Sequence, residues 1–381
     1  MNAIVDDTLL HRLAERASTA EVERRLPDES LDDLRDAGLL RLLVPSRVGG
    51  DEATFTDMVD AVTTIGRADS AASWVLMVLT AHDWMMGSFS QAAQDRVYAE
   101  GPDVVIPGSL APTGRARRVD DGWIVSGRWP FASGAAHGDF YLLGTLEPAE
   151  AGRPRLLHIV VPRDDVVVDD TWYPIGLRGT GSSDVVLDDV YVPDVLTMDS
   201  GELLGVRGPW SAQHPSRLYL TPILPGLAVH VAASAIGIAG GGLADAVERF
   251  GSQADAYLGT SKAERPGLQM RLAESQTELT TAELLIADTV RLLERAADGN
   301  DTKALRARTK YQASYAIDLA RRVLDRLVTA AGARAMFDGS LLQKAHRDVQ
   351  MASQHAVADL DGVGQAYGRT LLGHDPGAHP L

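Results

Sequence analysis

The sequence predicts an α+β protein, mostly α, in which a small β domain separates two helical domains. Three observations support this prediction. The first hundred residues carry apolar side chains at three- and four-residue spacings, the period of a helix. From about residue 103 the chain changes to short β-branched runs closed by turn residues. The helical period returns near Leu218, so we predict domains at 1–102, 103–212 and 213–381.

Two segments define the N-terminal helical domain. The run FTDMVDAVTTIG spaces its apolar residues for one helix face before Gly66 ends the pattern. The following run, Ala71–Met86, is apolar nearly all round, which predicts a helix buried on every side. The longest uninterrupted apolar run within it, Ala71–Ala81, is too short to span a bilayer.

The β domain has a hairpin signal at Asp121–Gly122, where Asp-Gly favours a tight turn between two strands. Two later runs, PRLLHIVVP and SDVVLDDVYVP, continue the strand pattern, and each is closed by a proline.

The C-terminal domain contains a strong helical repeat. Apolar and aromatic residues fall at i, i+4, i+8 and i+12, and Gly332 follows as the predicted end of the helix. The residues of this repeat are Tyr311, Tyr315, Leu319 and Val323.

Composition excludes several function classes. The chain of 381 residues has a net charge of −16, which argues against nucleic acid or an anionic membrane as a partner. It has no cysteine, so disulfides, thiolate catalysis and Cys-ligated zinc are excluded, and no other metal-ligand spacing is present. The N-terminus lacks the features of a signal peptide, and we expect a cytoplasmic protein. No glycine-rich run opens a helix after a strand, so a nicotinamide-binding domain is not predicted.

Two motifs carry a resemblance to a known family. GLRGTGSSDVVLDDVYVPD, 176–194, closely resembles the middle-domain signature of the acyl-CoA dehydrogenase fold. GARAMFDGSLLQKAHRDVQ, 332–350, looks like the family's late segment, in which an Arg-Asp pair follows a flavin-contacting loop. The resemblance extends over nearly the whole chain. It implies an N-terminal helical domain, a middle β-barrel or sandwich, and a C-terminal four-helix bundle.

The chain departs from the dehydrogenases at the catalytic base. The family's base is a glutamate eight residues after the aspartate of the Arg-Asp pair, and that position here is Ala356. The alternative position used by some members is near Leu227. Neither side chain can accept a proton, so α,β-dehydrogenation loses its base.

Three stretches resemble the monooxygenases built on the same fold, which are two-component aromatic hydroxylases. SWVLMVLTAHDW supplies His82, and SGRWPFASGAAHGDF resembles a W-x-F-x-S-G run with Ser133 and Gly134. RDVQMASQH supplies His355 where those enzymes carry a histidine. The resemblance implies reduced FMN or FAD as cofactor, O2 as co-substrate and a small aromatic substrate. It also implies a separate NAD(P)H-dependent flavin reductase and a homotetramer.

In that chemistry a flavin C4a-hydroperoxide delivers oxygen to an activated carbon. Ser133 is the candidate for a hydroxyl that donates a hydrogen bond to flavin N5, the alternative being a turn serine that satisfies the backbone. His355 or His82 is the candidate base for a phenol, with the other orienting the substrate. The alternative for each is a core histidine. His137 and His346 are weaker candidates.

The resemblance also suggests cofactor contacts. Trp129 and Phe131 are predicted to flank the isoalloxazine, although packing inside the hairpin explains them almost equally well. Arg265 and Arg347 are candidates for the flavin phosphate, and a helix N-terminus would serve the same purpose. Arg347 and Asp348 are alternatively a structural ion pair.

Several functions stay open at this level. We favour a flavin-dependent monooxygenase that uses reduced flavin to hydroxylate a phenolic or polyketide-like small molecule. The alternatives are an N-oxygenase of an amine or amino sugar, an acyl-CoA dehydrogenase with a relocated base, and a non-redox ligand-binding member of the fold.

Overall fold

The computed structural model describes residues 5–148, 154–203, 216–252 and 261–381. Five helices form the N-terminal part: α1 (Asp7–Glu23), α2 (Asp28–Asp36), α3 (Phe55–Ala68), α4 (Ser70–Met86) and α5 (Gln91–Val97).

Helices α3 and α4 are defined by their caps. Thr54 and Asp57 form a capping box at the start of α3. Asp69 ends α3 in an extended conformation, and its side chain accepts a hydrogen bond from Ala71 N at the start of α4. Within α4, all of which the structure describes, every residue except Val78 is buried. The predicted buried helix is therefore present, with one partly open position.

The middle region is one seven-stranded mixed sheet in the order β5-β6-β2-β1-β3-β4-β7. Only β1 and β3 pair in parallel; the other neighbours are antiparallel. The strands are β1 (Gly108–Val119), β2 (Gly122–Ala132), β3 (Phe140–Glu147), β4 (Arg155–Pro162), β5 (Val167–Asp169), β6 (Ser183–Pro193) and β7 (Thr197–Asp199).

The predicted hairpin joins β1 and β2, with its turn one residue earlier than expected. Val119 pairs with Gly122, so Asp120 and Asp121 form the two-residue turn. Gly122 is required as the first residue of β2, because a Cβ there would lie 2.4 Å from the Val192 carbonyl oxygen on β6.

The C-terminal region is helical, as predicted. A four-helix bundle is formed by α7, α8, α9 and α10, and α11 packs against α9. The bounds are α6 (Ser200–Leu203), α7 (Ile223–Ser252), α8 (Pro266–Arg295), α9 (Lys303–Ala331), α10 (Leu341–Ala352) and α11 (Leu360–Leu371). Gly332, with a φ of 78°, ends α9 as expected.

The N-terminal and C-terminal helices share one core through a glycine crossing. Gly66 of α3 faces Gly237 of α7, and a Cβ on Gly237 would lie 2.4 Å from the Thr63 carbonyl oxygen. Helix α7 is long and apolar enough to cross a membrane, but 89% of its most apolar window is buried inside the protein. It is the central helix of this core.

The proposed domain boundary at 212–213 lies outside the described residues. The boundary at 102–103 precedes β1 by a short segment and stays a prediction.

Candidate active site

One face of helix α4 carries three residues that are relevant to the candidate site. Trp74, Val78 and His82 are spaced four residues apart and therefore lie on the same side of the helix. Val78, between the other two, is the partly open position of α4. The rise from Trp74 to His82 is about 12 Å along the helix axis.

Trp74 brings together two residues that the sequence singled out. Its indole Nε1 donates a hydrogen bond to Ser133 Oγ at 3.0 Å. The edge of its ring packs against the His355 imidazole, with the ring centroids 5.9 Å apart and an interplanar angle of 64°. Trp74 itself was not predicted as a site residue. It lies where α4, the end of β2 and the turn after α10 meet.

Ser133 belongs to a buried row of hydroxyl groups. Its Oγ lies 2.7 Å from Ser182 Oγ, which lies 2.7 Å from Thr180 Oγ1. Thr180 Oγ1 donates to the Leu177 carbonyl oxygen at 2.9 Å. The loop that carries Thr180 and Ser182 is held to the end of β2, because Gly134 N donates to the Thr180 carbonyl oxygen at 2.8 Å.

A buried ionic cluster fixes the same loop. Asp348 Oδ1 accepts a hydrogen bond from Leu177 N at 2.6 Å, and Asp348 Oδ2 accepts one from Lys344 Nζ at 2.7 Å. Ser70 also bonds to Asp348. Leu177 is held in the left-handed region, with a φ of 52°, so the loop adopts a conformation that this cluster stabilises. The aspartate of the Arg-Asp motif therefore positions the hydroxyl row.

The alternative of an ion pair between Arg347 and Asp348 is contradicted. Arg347 instead bonds to Glu21 Oε1 at 2.9 Å, to Gln343 Oε1 at 3.0 Å and to the Ile175 carbonyl oxygen. These contacts tie helix α1 to α10. A phosphate contact by Arg347 stays a prediction. A bound phosphate would compete with these three protein partners for the guanidinium group.

His82 is built as a neutral proton acceptor. Its Nδ1 lies 2.7 Å from the Ile106 carbonyl oxygen, which can only accept, so Nδ1 carries the proton. Its Nε2 makes no hydrogen bond with any residue that the structure describes. Burial lowers the pKa of His82 to about 4, with the carbonyl contact opposing that shift. At neutral pH, Nε2 therefore offers a free lone pair.

His355 has the complementary arrangement. Its Nδ1 accepts a hydrogen bond from Val357 N at 3.3 Å, so the neutral ring carries its proton on Nε2. The surrounding protein lowers the pKa of His355 to about 4. The imidazole is also exposed to solvent, which weakens this shift, and the ring is neutral at pH 7 in either case. His355 therefore presents an N–H donor, whereas His82 presents a hydrogen-bond acceptor.

Trp129 is a core residue, so the contact predicted between its ring and a cofactor is contradicted. Its side chain is 0% exposed, and Nε1 donates to the Gly144 carbonyl oxygen at 2.5 Å. The ring lies against Gly114 and Gly127, where a Cβ would collide with it. The alternative of packing inside the hairpin is the correct one.

Phe131 is still a candidate for contact with the cofactor. Its side chain is 63% exposed, and its φ of 66° is unusual for an aromatic residue. Its ring meets Trp172 edge to face, with 6.0 Å between centroids. Gly134 has a φ of 76°, so glycine suits this position, but its N–H is already bound to Thr180. Arg265 is exposed at the start of α8, and its phosphate contact stays a prediction.

The two weaker histidine candidates have structural partners. His137 Nε2 lies 2.9 Å from the Leu26 carbonyl oxygen, and burial lowers its pKa. His346 Nε2 lies 2.9 Å from Asp325 Oδ1.

His230 is a buried histidine that the sequence did not single out. It stacks on Trp84 with an interplanar angle of 18°, and its Nε2 is buried without a hydrogen-bond partner among the described residues. Burial lowers the pKa of His230 to about 4.

Replacing His230 by leucine is expected to flatten the pH dependence of stability. The folded-state pKa lies below the unfolded value of about 6.5, so only the unfolded chain binds this proton between pH 6.5 and 4. The free energy of unfolding therefore falls as pH falls, by about 1.4 kcal/mol per pH unit for this group. Urea unfolding of wild type and His230→Leu at pH 7, 6 and 5 measures the difference. His230→Phe, which keeps a ring against Trp84, should show the same flattening, and parallel curves would refute the assignment.

The residues around Trp74 fit the ring system of a flavin. Ser133 Oγ lies within hydrogen-bonding distance of Trp74 Nε1 and Ser182 Oγ, Phe131 exposes an aromatic ring, and the His355 imidazole packs against Trp74. Residues for the cofactor's phosphate are not assigned by these contacts.

Comparison with known proteins gives the family of this chain. Residues 2–100 match the family model for the acyl-CoA dehydrogenase N-terminal domain, and residues 229–360 match that for the C-terminal domain. A relative from Rhizobium, the oxygenase component of an FADH2-dependent resorcinol hydroxylase, is 32% identical over 94% of this chain and 91% of its own. The oxygenase subunit HsaA of a flavin-dependent monooxygenase from Rhodococcus jostii is 33% identical, covering 96% of this chain and 97% of its own.

A solved structure, XiaF from Streptomyces in complex with FADH2 and glycerol, superimposes with a TM-score of 0.91. It is 26% identical, and the match covers 98% of this chain and 97% of XiaF. The fold and these matches together show that the chain is an enzyme with the acyl-CoA dehydrogenase fold. Within that fold, the chain belongs to the flavin-dependent monooxygenases that act as oxygenase components. The fold class and the family predicted from the sequence are confirmed.

Proposed function

We propose that the protein hydroxylates a phenolic small molecule with reduced FMN or FAD and O2. The observation that carries this proposal is the pair of neutral histidines with opposite hydrogen-bonding character. His82 offers a lone pair on the face of α4 that carries Trp74, and His355, which packs against Trp74, offers an N–H. Reduced flavin, when bound, supplies the two electrons that reduce O2 so that one oxygen atom is transferred and the other becomes water.

His82 is the proposed base. A phenol whose O–H donates to His82 Nε2 becomes more electron-rich as the proton moves to nitrogen, which activates the ortho carbon. His355 Nε2–H is placed to donate to a second polar group of the substrate. This assignment separates two roles that the sequence left interchangeable.

The dehydrogenase alternative receives no support from the site. Ala356 and Leu227, where a dehydrogenase would hold its base, carry no ionisable side chain. No contact among the described residues favours N-oxygenation or a non-redox role. The relatives support hydroxylation, since one is named for resorcinol and FADH2.

The proposal includes a partner. An oxygenase component needs reduced flavin from elsewhere, and we propose a separate NAD(P)H-dependent flavin reductase in the same cytoplasm. A nicotinamide-binding glycine motif is not found in this sequence, which agrees with a division into two proteins.

The function is tested by supplying reduced FMN from a generic reductase and a panel of phenols that includes resorcinol. We expect O2 uptake by the protein and a substrate-dependent fall in the H2O2 released per flavin oxidised. Failure to bind reduced flavin would contradict the proposal. So would tight binding of oxidised FAD that an acyl thioester bleaches.

We also propose a homotetramer. Three apolar side chains from the end of α9 to the first residue of α10 are exposed in the single chain: Met336 at 52%, Phe337 at 70% and Leu341 at 57%. Burial in an assembly would remove this surface from water. Sedimentation should give four times the chain mass of 40.7 kDa for wild type and a smaller species for Phe337→Asp. A wild-type monomer would contradict this expectation, and Val22→Asp, a change at an exposed apolar residue of α1, is the matched control.

A further inference from the structure

The hydroxyl row that ends at Ser133 has a defined direction. The Leu177 carbonyl oxygen can only accept, so Thr180 Oγ1 must donate its single proton there, at 2.9 Å. The 2.7 Å contact between Thr180 and Ser182 therefore uses the proton of Ser182. By the same reasoning, the 2.7 Å contact between Ser182 and Ser133 uses the proton of Ser133.

This direction determines what Ser133 can offer to a ligand. A hydroxyl has one proton and two acceptor positions. The proton of Ser133 is committed to Ser182, and one acceptor position is filled by Trp74 Nε1–H at 3.0 Å. One acceptor position is left. Ser133 is therefore arranged to accept a hydrogen bond, which is the reverse of the donor role predicted from the sequence.

We infer that Ser182 and Thr180 are positioning residues that hold Ser133 as a hydrogen-bond acceptor and thereby favour a reduced flavin, whose N5 bears a hydrogen, over an oxidised one. In oxidised flavin N5 is itself an acceptor, so it would face the remaining lone pair of Ser133. This inference rests on the proposed function, since it requires that Ser133 meets flavin N5.

Reversing the row is possible but unfavourable. For Ser133 to donate, all three hydroxyls would have to turn, and the Thr180 bond to the Leu177 carbonyl would be lost. That carbonyl would keep two donors, Trp172 Nε1 at 2.9 Å and Thr180 N at 3.2 Å, so it would not be left bare. The loop is held in place by Asp348 through Leu177 N at 2.6 Å and cannot easily follow the change. The preference is thus worth about one buried hydrogen bond, or about tenfold in affinity.

The test is a pair of anaerobic titrations that give the dissociation constants of reduced and oxidised FMN. Wild type should bind reduced FMN more tightly. Ser182→Ala frees the proton of Ser133, and Thr180→Val removes the anchor of the row, so each should lower the preference about tenfold. Thr180→Ser keeps the hydroxyl and should retain the wild-type ratio. Ser30→Ala is the matched control, because Ser30 is also buried but bonds to Arg16 in the N-terminal helices.

The outcomes separate this inference from the proposed function. If wild type binds no reduced FMN, the proposed function fails. If reduced FMN binds but wild type shows no preference for it, the hydroxyl row does not select the redox state. An unchanged ratio in both Ser182→Ala and Thr180→Val would likewise overturn the inference. Two independent variants are used so that a folding defect in one leaves the other decisive.

Discussion

Replacing His82 by glutamine is expected to abolish most coupled hydroxylation while leaving the affinity for reduced flavin unchanged. A glutamine side chain can keep a hydrogen bond to the Ile106 carbonyl, but its amide cannot take up a proton. Loss of a general base typically lowers the rate about 100- to 10,000-fold. The O2 consumed should then appear as H2O2. Quantifying product and H2O2 together under single turnover measures this effect.

The matched control is His346→Gln, since His346 bonds to Asp325 on α9 and makes no hydrogen bond to α4 among the described residues. It should hydroxylate like wild type. Coupled hydroxylation by His355→Ala should be about tenfold slower, because the substitution removes a hydrogen-bond donor but no base. If His82→Gln retained wild-type coupling, His82 would be a core histidine and the proposed mechanism would lose its base.

The pKa of His82 also sets an expected pH profile. Burial lowers this pKa to about 4, so the base is unprotonated at pH 6 and above. Since a base works only when unprotonated, coupled hydroxylation should fall only at about pH 5 or below. A decline centred near 6.5 in wild type would indicate a different base.

Replacing Ser133 by alanine is the second large expected effect. The substitution removes the acceptor for Trp74 Nε1–H and for an N–H of the bound cofactor. A buried donor left without a partner costs about 1–3 kcal/mol, which corresponds to roughly 5- to 150-fold. When O2 is mixed with the reduced complex in the absence of substrate, oxidised flavin and H2O2 should therefore appear about 10- to 100-fold faster. Stopped-flow absorbance and a peroxide assay report both.

Ser30→Ala serves again as the control for loss of a buried serine hydroxyl. It should leave the oxidation rate unchanged. An unaltered rate in Ser133→Ala would remove Ser133 from the cofactor site and return it to the alternative role of a turn serine.

Much of the fold could be predicted from local patterns in the sequence. The all-round apolar run became helix α4, and the repeat from Tyr311 to Val323 became part of α9, because packing on these faces follows directly from spacing. The hairpin was predicted one residue late at Asp121–Gly122. The position of the turn depends on how Gly122 fits against β6, a strand that is distant in sequence.

The site was predicted less completely. His82, Ser133 and His355 were proposed from motif resemblance, but the role that each can take depends on which ring nitrogen or hydroxyl is already bonded. From the sequence, Trp74 looked like another core residue of an apolar helix. Periodicity does not distinguish a residue that contacts site residues from one in the protein interior.

Trp129 shows the opposite error. An aromatic residue in a matching motif suggested a cofactor contact, yet the small neighbours Gly114 and Gly127 create a slot that buries it in the sheet. The pairing of neighbouring strands determines that Trp129 is buried, and the motif alone does not reveal that pairing. The link from Asp348 through Leu177 to the hydroxyl row likewise spans 171 residues of sequence.

Isotope labelling with ¹⁸O2 tests the central claim most directly. Wild type, reduced FMN and the phenol panel are mixed under ¹⁸O2, and the products are analysed by mass spectrometry. We predict a hydroxylated phenol that contains one oxygen atom from O2, formed by wild type and lost in His82→Gln. Recovery of all the label as H2O2 for every phenol, or product oxygen that comes from water, would contradict the account.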